Sequence, residues 1–168
     1  MLGGSWGVRE DEERLPFACD LFVTDPALVA HRGTTVAAAP ADVWPWVCQI
    51  RVAPYSYDLV DNLGRRSPRE LLDLPEPRVG DPFTASGGRP LGEVEDVEPG
   101  RSLTGRVMGA HLTYLLQPAP GDSTRLLLKV VMETGPLVAR AVCLGDLVMA
   151  RRQLLNLRRL AEASVTGR

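Results

Sequence analysis

Apolar and polar positions divide the chain into a β-rich middle and a helical C-terminal part. Turn signals such as Gly87-Gly88, Pro99-Gly100 and Pro120-Gly121 recur at intervals of about ten residues, a spacing typical of an antiparallel meander. The runs between the turns predict strands over residues 91–97, 102–108, 111–117 and 124–133. From residue 137 to about 163 the apolar positions are three or four apart, which predicts one long amphipathic helix.

The first part of the chain has a different pattern. Residues 1–26 show no clear period and carry Gly, Pro and acidic residues, so we expect an extended arm with little regular structure. Residues 27–38 are rich in Val and Thr and predict the first strand. At 168 residues the chain is long enough to bury a real core, and we expect residues 27–165 to form one domain.

Two short helices are predicted between the first strand and the meander. Pro40 and Asp42 favour the start of a helix over residues 40–49, because proline suits the first helical position and an acid suits the positive end of the helix dipole. Ser67, followed by Pro68, predicts a second helical turn over residues 67–72. The order of elements predicts an α+β fold, in which a curved antiparallel sheet wraps around a long C-terminal helix.

A curved sheet that encloses one helix leaves a gap wherever side chains fail to fill it, and an apolar gap of this kind is a common small-molecule site. The predicted strands offer wall residues, or their neighbours on the same face, at Leu103, Val107, Leu115, Leu128 and Val130. The apolar stripe of the long helix offers Cys143, Leu147 and Ala150.

Composition and charge exclude several classes of function. A net charge of -2 gives no general attraction to nucleic acid or to an acidic membrane. Arg140 and Asp146 interrupt the most apolar late stretch, so we expect no stable membrane insertion. The three cysteines form no C-x-x-C pair, and no signal peptide is recognisable at the N-terminus, so we expect a cytoplasmic protein. No pattern in the sequence indicates a particular oligomeric state.

No cofactor or metal is expected either. The glycine-rich segment 87–92 is not followed by Lys-Ser or Lys-Thr, as a phosphate-binding loop would be. The two histidines, His31 and His111, have no cysteine or carboxylate at the spacing of metal ligands.

Four segments carry a resemblance to a known superfamily. They are HRGTTVAAAPADVWPWVCQI, YSYDLVDNLGRRSP, VGDPF and MARRQLLNLRRLAE, spread over residues 31–162. The chain resembles the helix-grip (SRPBCC) superfamily of START domains and birch-pollen-allergen-like proteins, and within it the branch of polyketide cyclases/dehydrases and lipid-transport proteins. The resemblance implies a hydrophobic-ligand cavity but no particular activity, because this fold hosts many functions. Residues 51–54, Arg-Val-Ala-Pro, depart from the glycines expected there, which predicts a different cavity mouth.

Aromatic residues are concentrated near the second of these segments. Trp44, Trp46, Tyr55 and Tyr57 lie within fourteen positions of a chain that is otherwise poor in rings. One interpretation is that the rings pack the short helices onto the base of the long helix. The other is that Trp46 and the two tyrosines line the cavity and direct their hydroxyl groups at a ligand.

Acid–base chemistry has three candidates, which are His111, Asp58 and Tyr57. His111, on a predicted central strand, could serve as a base in a half-apolar pocket. Asp58 and Asp61 are three residues apart and could share a face, but the pattern favours a capped polar turn ending at Gly64.

The sequence supports three hypotheses. The first is a carrier or sensor that binds a small hydrophobic or amphipathic ligand through Trp46, Tyr55, Tyr57, Asp58, Leu115, Leu128, Val130 and Leu147. The second is an enzyme similar to polyketide cyclases or dehydratases, in which a Tyr, His or Asp moves a proton. The third is a protein-interaction module. A filled core with no cavity above roughly 300 Å³ would favour the third, and an ionisable group inside a cavity would favour the second.

Overall fold

The computed structural model describes residues 4–133 and 136–167, and in the C-terminal helix it describes side chains from residue 149 onward. The predicted N-terminal arm contains three short elements and so has more regular structure than expected. They are β1 (Ser5–Trp6), α1 (Glu10–Glu13) and the 3₁₀ turn η1 (Ala18–Leu21).

The sheet has six strands in the order β1-β2-β8-β7-β6-β5. Strand β2 spans Leu28–Val36, and the meander consists of β5 (Glu93–Glu98), β6 (Ser102–Val107), β7 (Ala110–Ala119) and β8 (Ser123–Met132). All pairs are antiparallel except β1 with β2, which confirms the predicted meander. A separate hairpin, β3 (Thr84–Ser86) and β4 (Arg89–Leu91), precedes it.

Two short helical elements follow β2, as predicted, but the second lies at residues 49–51 and not at residues 67–72. Helix α2 spans Pro40–Cys48 with proline in its first turn, and the 3₁₀ turn η2 follows directly at Gln49–Arg51. The predicted helical turn over residues 67–72 is wrong, since that segment has no helix.

Hydrogen bonds from other segments explain the missing turn at residues 67–72. Ser67 donates both its backbone N–H (2.9 Å) and its hydroxyl (2.6 Å) to the carboxylate of Asp58. The Gln49 side chain accepts from the N–H of Leu72 at 2.8 Å and donates to the carbonyl of Glu70 at 2.9 Å. These backbone groups are therefore satisfied without a helix.

The C-terminal helix α3, Pro136–Thr166, packs against β2 and α2. Ala150, Leu154, Leu157 and Ala161 are buried on one stripe, which confirms the predicted helical period for the part whose side chains are described. The predicted stripe residues Cys143 and Leu147 lie outside the described side chains. No helix in the described part of the chain is long and apolar enough to cross a bilayer.

The sheet has two buried faces, which alternate along each strand. We call the face that carries α2 and α3 the inner face; on β7 and β8 it presents Leu112, Tyr114, Leu116, Leu126, Leu128 and Val130. We call the opposite face the outer face; there Leu115, Leu127 and Val131 pack against Phe17, Cys19 and Val23 of the arm. The arm therefore acts as a second layer over the sheet.

Polar contacts hold the arm on the outer face. Arg125 of β8 makes two bonds to the Glu12 carboxylate, at 2.6 and 2.7 Å, and it also donates to the carbonyl of Gly7 at 2.7 Å. Both side chains of the pair are about nine-tenths buried. Lys129 pairs with Asp20 at 2.7 Å. Burial by itself would raise the pKa of Glu12, but the bonds from Arg125 and from the N–H of Arg9 outweigh burial, and the net pKa is lowered.

Glu12→Gln should lower the free energy of unfolding by about 3 kcal/mol, because it leaves the buried Arg125 charge without a countercharge. Since the pKa of Glu12 is lowered in the folded state, this stabilisation is present above the ordinary glutamate value of 4.5 and is lost as pH falls through the folded-state pKa. Urea unfolding at pH 7 and at pH 3 measures both effects.

The matched control is Glu98→Gln, which breaks the exposed pair between Glu98 and Arg101. This change should cost less than about 1 kcal/mol. Equal losses in the two variants would contradict the assignment of Glu12 as the buried anchor of the arm.

Candidate functional site

A cavity of about 390 Å³ lies between the inner face of the sheet and α3. The strands contribute Val107, Leu112, Tyr114 and Leu128, and the helix contributes Met149, Ala150 and Gln153. The β3–β4 hairpin and residues 54–61 form further walls, and the cavity is partly open to solvent. The walls are mostly apolar, so the cavity has the character of a small-molecule pocket.

Gly105 explains how the hairpin comes close to the sheet. The ring of Phe83, just before β3, lies directly over this glycine, and a Cβ atom placed on it would be 2.1 Å from the ring. A larger residue at this point of β6 would displace Phe83, which is part of the cavity wall. The glycine is therefore required by close packing rather than by a turn.

A chain of hydrogen bonds ties the segment before the cavity to α3. The amide of Gln153 accepts from the Tyr114 hydroxyl and donates to the carbonyl of Pro54 at 2.6 Å. Asn156, one turn later, donates to the carbonyl of Tyr55 at 2.9 Å. Tyr55 has a φ of 56°, a left-handed conformation that is rare for an aromatic residue. These bonds hold the strained turn in place and give the cavity a defined polar edge.

Asp61 is the acidic residue of the cavity wall among the described lining residues. Its Oδ2 accepts the backbone N–H of Tyr57 at 3.2 Å. Its Oδ1 is buried and has no hydrogen-bond partner within the described part of the chain. Burial raises the pKa of Asp61, because desolvation disfavours the charged form. Among the described residues, Asp61 thus keeps one carboxylate oxygen without a hydrogen bond, whereas both oxygens of Asp58 accept from Ser67.

The sheet residues that the sequence predicted to line the cavity lie on both faces of the sheet. Leu128 lines the cavity, as do Val107 and Ala150. Val130 lies on the inner face, but in the packed core and outside the cavity lining. Leu115 lies on the outer face under the arm, so its side chain is on the opposite side of the sheet from the cavity. Leu147 is outside the described side chains.

The aromatic cluster is placed mainly in the core. Trp46 is 2 % exposed, its Nε1 donates to the Ser164 hydroxyl at 3.4 Å, and its ring meets that of Tyr55 edge-on at 6.5 Å. The Tyr55 hydroxyl accepts from Gln49 at 2.6 Å, and burial raises the pKa of Tyr55 to about 12. Neither ring lines the 390 Å³ cavity. Their polar atoms are satisfied within the protein, as the packing interpretation predicts.

Tyr57 and Asp58 lie at a second hollow of about 350 Å³. The Asp58 carboxylate is occupied by the two bonds from Ser67. Asp58 and Asp61 therefore do not form an acid–base pair, since each carboxylate has a different backbone partner and faces a different hollow. The segment is a turn, closed by a 2.7 Å bond from the N–H of Gly64 to the carbonyl of Asp58.

His111 lies on the outer face of β7. Its Nδ1 is hydrogen-bonded to the Glu95 carboxylate at 2.7 Å, and its ring stacks on Phe22 of the arm with 5.6 Å between ring centres and an interplanar angle of 3°. The side chain is thus on the other side of the sheet from the cavity. The structure gives His111 a role in holding the arm.

Sequence reasoning missed the polar side chains that do reach the cavity. Tyr114 was detectable, because it is adjacent to Leu115 on the strand and so lies on the opposite face, and it is paired directly with Leu128. Gln153 and the hairpin around Phe83 had no comparable signal, since only tertiary packing brings them to the wall. Asp61 was considered only as a partner of Asp58.

Comparison with known proteins supports the fold. No family model matches this chain, and no curated protein does. A solved structure from Mesorhizobium loti is similar, with 18 % identity and a TM-score of 0.56, covering 81 % of this chain and 98 % of the other. A Rhodobacter sphaeroides protein has 21 % identity and a TM-score of 0.56, covering 87 % and 97 %. A Polyketide_cyc-like protein from Corynebacterium glutamicum has 14 % identity and a TM-score of 0.52, covering 86 % and 97 %. These likenesses confirm the predicted helix-grip fold.

Asp61→Asn should raise the stability of the folded protein at pH 7. The raised pKa of Asp61 means that the charged form costs stability, and the folded state therefore loses stability as pH rises above the ordinary aspartate value of 3.8. The advantage of the variant should shrink as pH falls below that value. Thermal unfolding between pH 3 and pH 7 measures the difference.

Asp58→Asn is the matched comparison, because Asp58 accepts two hydrogen bonds from Ser67. This variant should lower the free energy of unfolding at pH 7 by about 1 kcal/mol. If both variants changed the free energy of unfolding in the same direction, the two aspartates would not differ as proposed, one with an unpartnered oxygen and the other held by Ser67.

Proposed function

We propose that the protein binds a small hydrophobic or amphipathic molecule in the cavity between the inner face of the sheet and α3, as a carrier or a sensor. The observation that carries the proposal is a hollow of about 390 Å³ with apolar walls and a few polar groups along one edge. Its volume and lining are those of small-molecule pockets. The buried free thiols Cys19 and Cys48 support a reducing, cytoplasmic location.

The chemistry of the walls favours an apolar guest over water. Water in the hollow would find few hydrogen-bond partners on walls formed by Leu112, Leu128 and Phe83. An apolar guest would instead remove these walls from water, at roughly 25 cal/mol for each Å² of apolar surface buried.

An enzyme of the cyclase or dehydratase type is the second candidate, and Asp61 is the observation that favours it. A desolvated carboxylate with a raised pKa in a cavity wall can transfer a proton to or from a carbonyl substrate. Tyr114 lines the same cavity and could orient such a substrate. His111 lies on the outer face of the sheet, and Asp58 is bound by Ser67, so neither residue is positioned for this role. The interaction-module hypothesis loses its main support, because the core is not filled.

Leu112→Trp should weaken ligand binding at least about tenfold by filling the cavity, a change equivalent to roughly 1.4 kcal/mol. Leu112 lies on the inner face at the cavity wall. Displacement of the neutral fluorescent probe N-phenyl-1-naphthylamine by ligands extracted from the host measures the affinity.

The control is Leu21→Trp, which introduces the same ring on the exposed surface of the arm, where Leu21 is 86 % accessible. It should leave probe binding unchanged. If both variants bind the probe as the unsubstituted protein does, the cavity is not the binding site.

A further inference from the structure

We propose that the second hollow, beside the cavity, binds the anionic end of the ligand, so that the guest is an amphipathic carboxylate or phosphate rather than a neutral lipid. This inference rests on the proposed function and adds the chemical class of the ligand. We call the second hollow the arginine pocket. It is lined by Tyr55, Tyr57, Asp58, Arg69, Arg152 and Arg159, among others.

The arginine pocket has more positive than negative charges. Three arginines and one aspartate line it, and the aspartate, Asp58, is hydrogen-bonded to the uncharged Ser67. Within the described residues, Arg69, Arg152 and Arg159 form no salt bridge, whereas their neighbour Arg158 is paired with Glu162 at 3.0 Å. Three guanidinium groups against one carboxylate around a concave site are suited to an anion.

The Tyr57 ring holds one of these arginines in place. The Arg152 guanidinium lies over the Tyr57 ring at 5.7 Å. Stacking on a ring uses the flat face of the guanidinium and leaves the N–H groups at its edge available. Those groups match the paired oxygens of a carboxylate or a phosphate. The sequence predicted that Tyr57 orients the polar end of the ligand. In the structure its ring supports the Arg152 guanidinium, which would bind that end.

The arginine pocket and the cavity lie side by side. Ser56 and Val60 line both hollows, so the segment that carries them is the wall between the two. Both hollows are partly open to solvent. A flexible molecule with its apolar part in the cavity can therefore extend over the rim of this segment and place its end group in the arginine pocket.

The cavity itself disfavours an anion. Its described lining contains Asp61 and no lysine or arginine. A ligand carboxylate placed there would be desolvated beside a second carboxylate, which is unfavourable for both. The same group placed in the arginine pocket would be paired. This difference determines the expected orientation of the ligand.

The test compares guests with the same chain and different end groups. Decanoate, decyl phosphate and 1-decanol compete with N-phenyl-1-naphthylamine for the full-length protein at low and high salt. We expect both acids to bind about tenfold more tightly than the alcohol at low salt. The advantage should shrink at high salt, because the arginines are exposed.

Arg152→Gln combined with Arg159→Gln should remove most of the advantage of the acids and leave the affinity for 1-decanol unchanged. Arg151→Gln combined with Arg158→Gln is the matched control: it removes the same two charges, each one position away, from residues that do not line the arginine pocket, and it should leave all three affinities unchanged. Circular dichroism confirms that the variants are folded.

Equal binding of 1-decanol and the acids would overturn the inference and leave the proposed function standing. Failure of all three guests to displace the probe would count against the proposed function itself. Inorganic phosphate that binds as tightly as decyl phosphate would show a free-anion site instead. Arginine-dependent binding to vesicles of acidic phospholipid, without displacement of the probe, would show a membrane-surface site instead; either result overturns the inference.

Discussion

The structure depends on one constraint, which is that strand β8 is buried on both faces. Its residues from Thr124 to Met132 are all buried, and successive side chains of a strand point to opposite sides of the sheet. Such a strand needs a layer on each side. Helices α2 and α3 cover the inner face, and the N-terminal arm, held by Glu12 and Arg125, covers the outer face. The outer layer packs directly against the sheet, whereas the inner layer leaves the cavity.

Much of the fold could be predicted from local patterns, because strand alternation and the helical stripe are properties of neighbouring residues. The last predicted strand, 124–133, differs from β8 by a single residue at each end. The turn predicted at 67–72 failed because Gln49, about twenty residues away, supplies the hydrogen bonds that a helix would have made. Leu115 was assigned to the cavity because the pattern shows which strand residues are apolar but not which face of a doubly covered sheet each one occupies.

The candidate site was less predictable, and the reason is chemical. The tryptophans and Tyr55 attract attention in the sequence, but a buried indole or phenol needs a partner, and here those partners are other groups of the protein such as Gln49 and Ser164. Among the described residues of the cavity wall, the buried side-chain atom without a hydrogen-bond partner is Oδ1 of Asp61. A carboxylate that costs stability where it stands is expected at functional rather than structural positions. Three-dimensional placement, rather than residue type, therefore distinguishes the site from the core.

The central claim is that the hollow between the sheet and α3 is occupied by a small amphipathic molecule. Native mass spectrometry of the protein purified from its own host tests this claim most directly. The account predicts a complex heavier than the chain by the mass of one small molecule, which is released intact on collisional activation and ionises as an acid. A spectrum that shows only the mass of the chain, under gentle conditions and without added detergent, would contradict it.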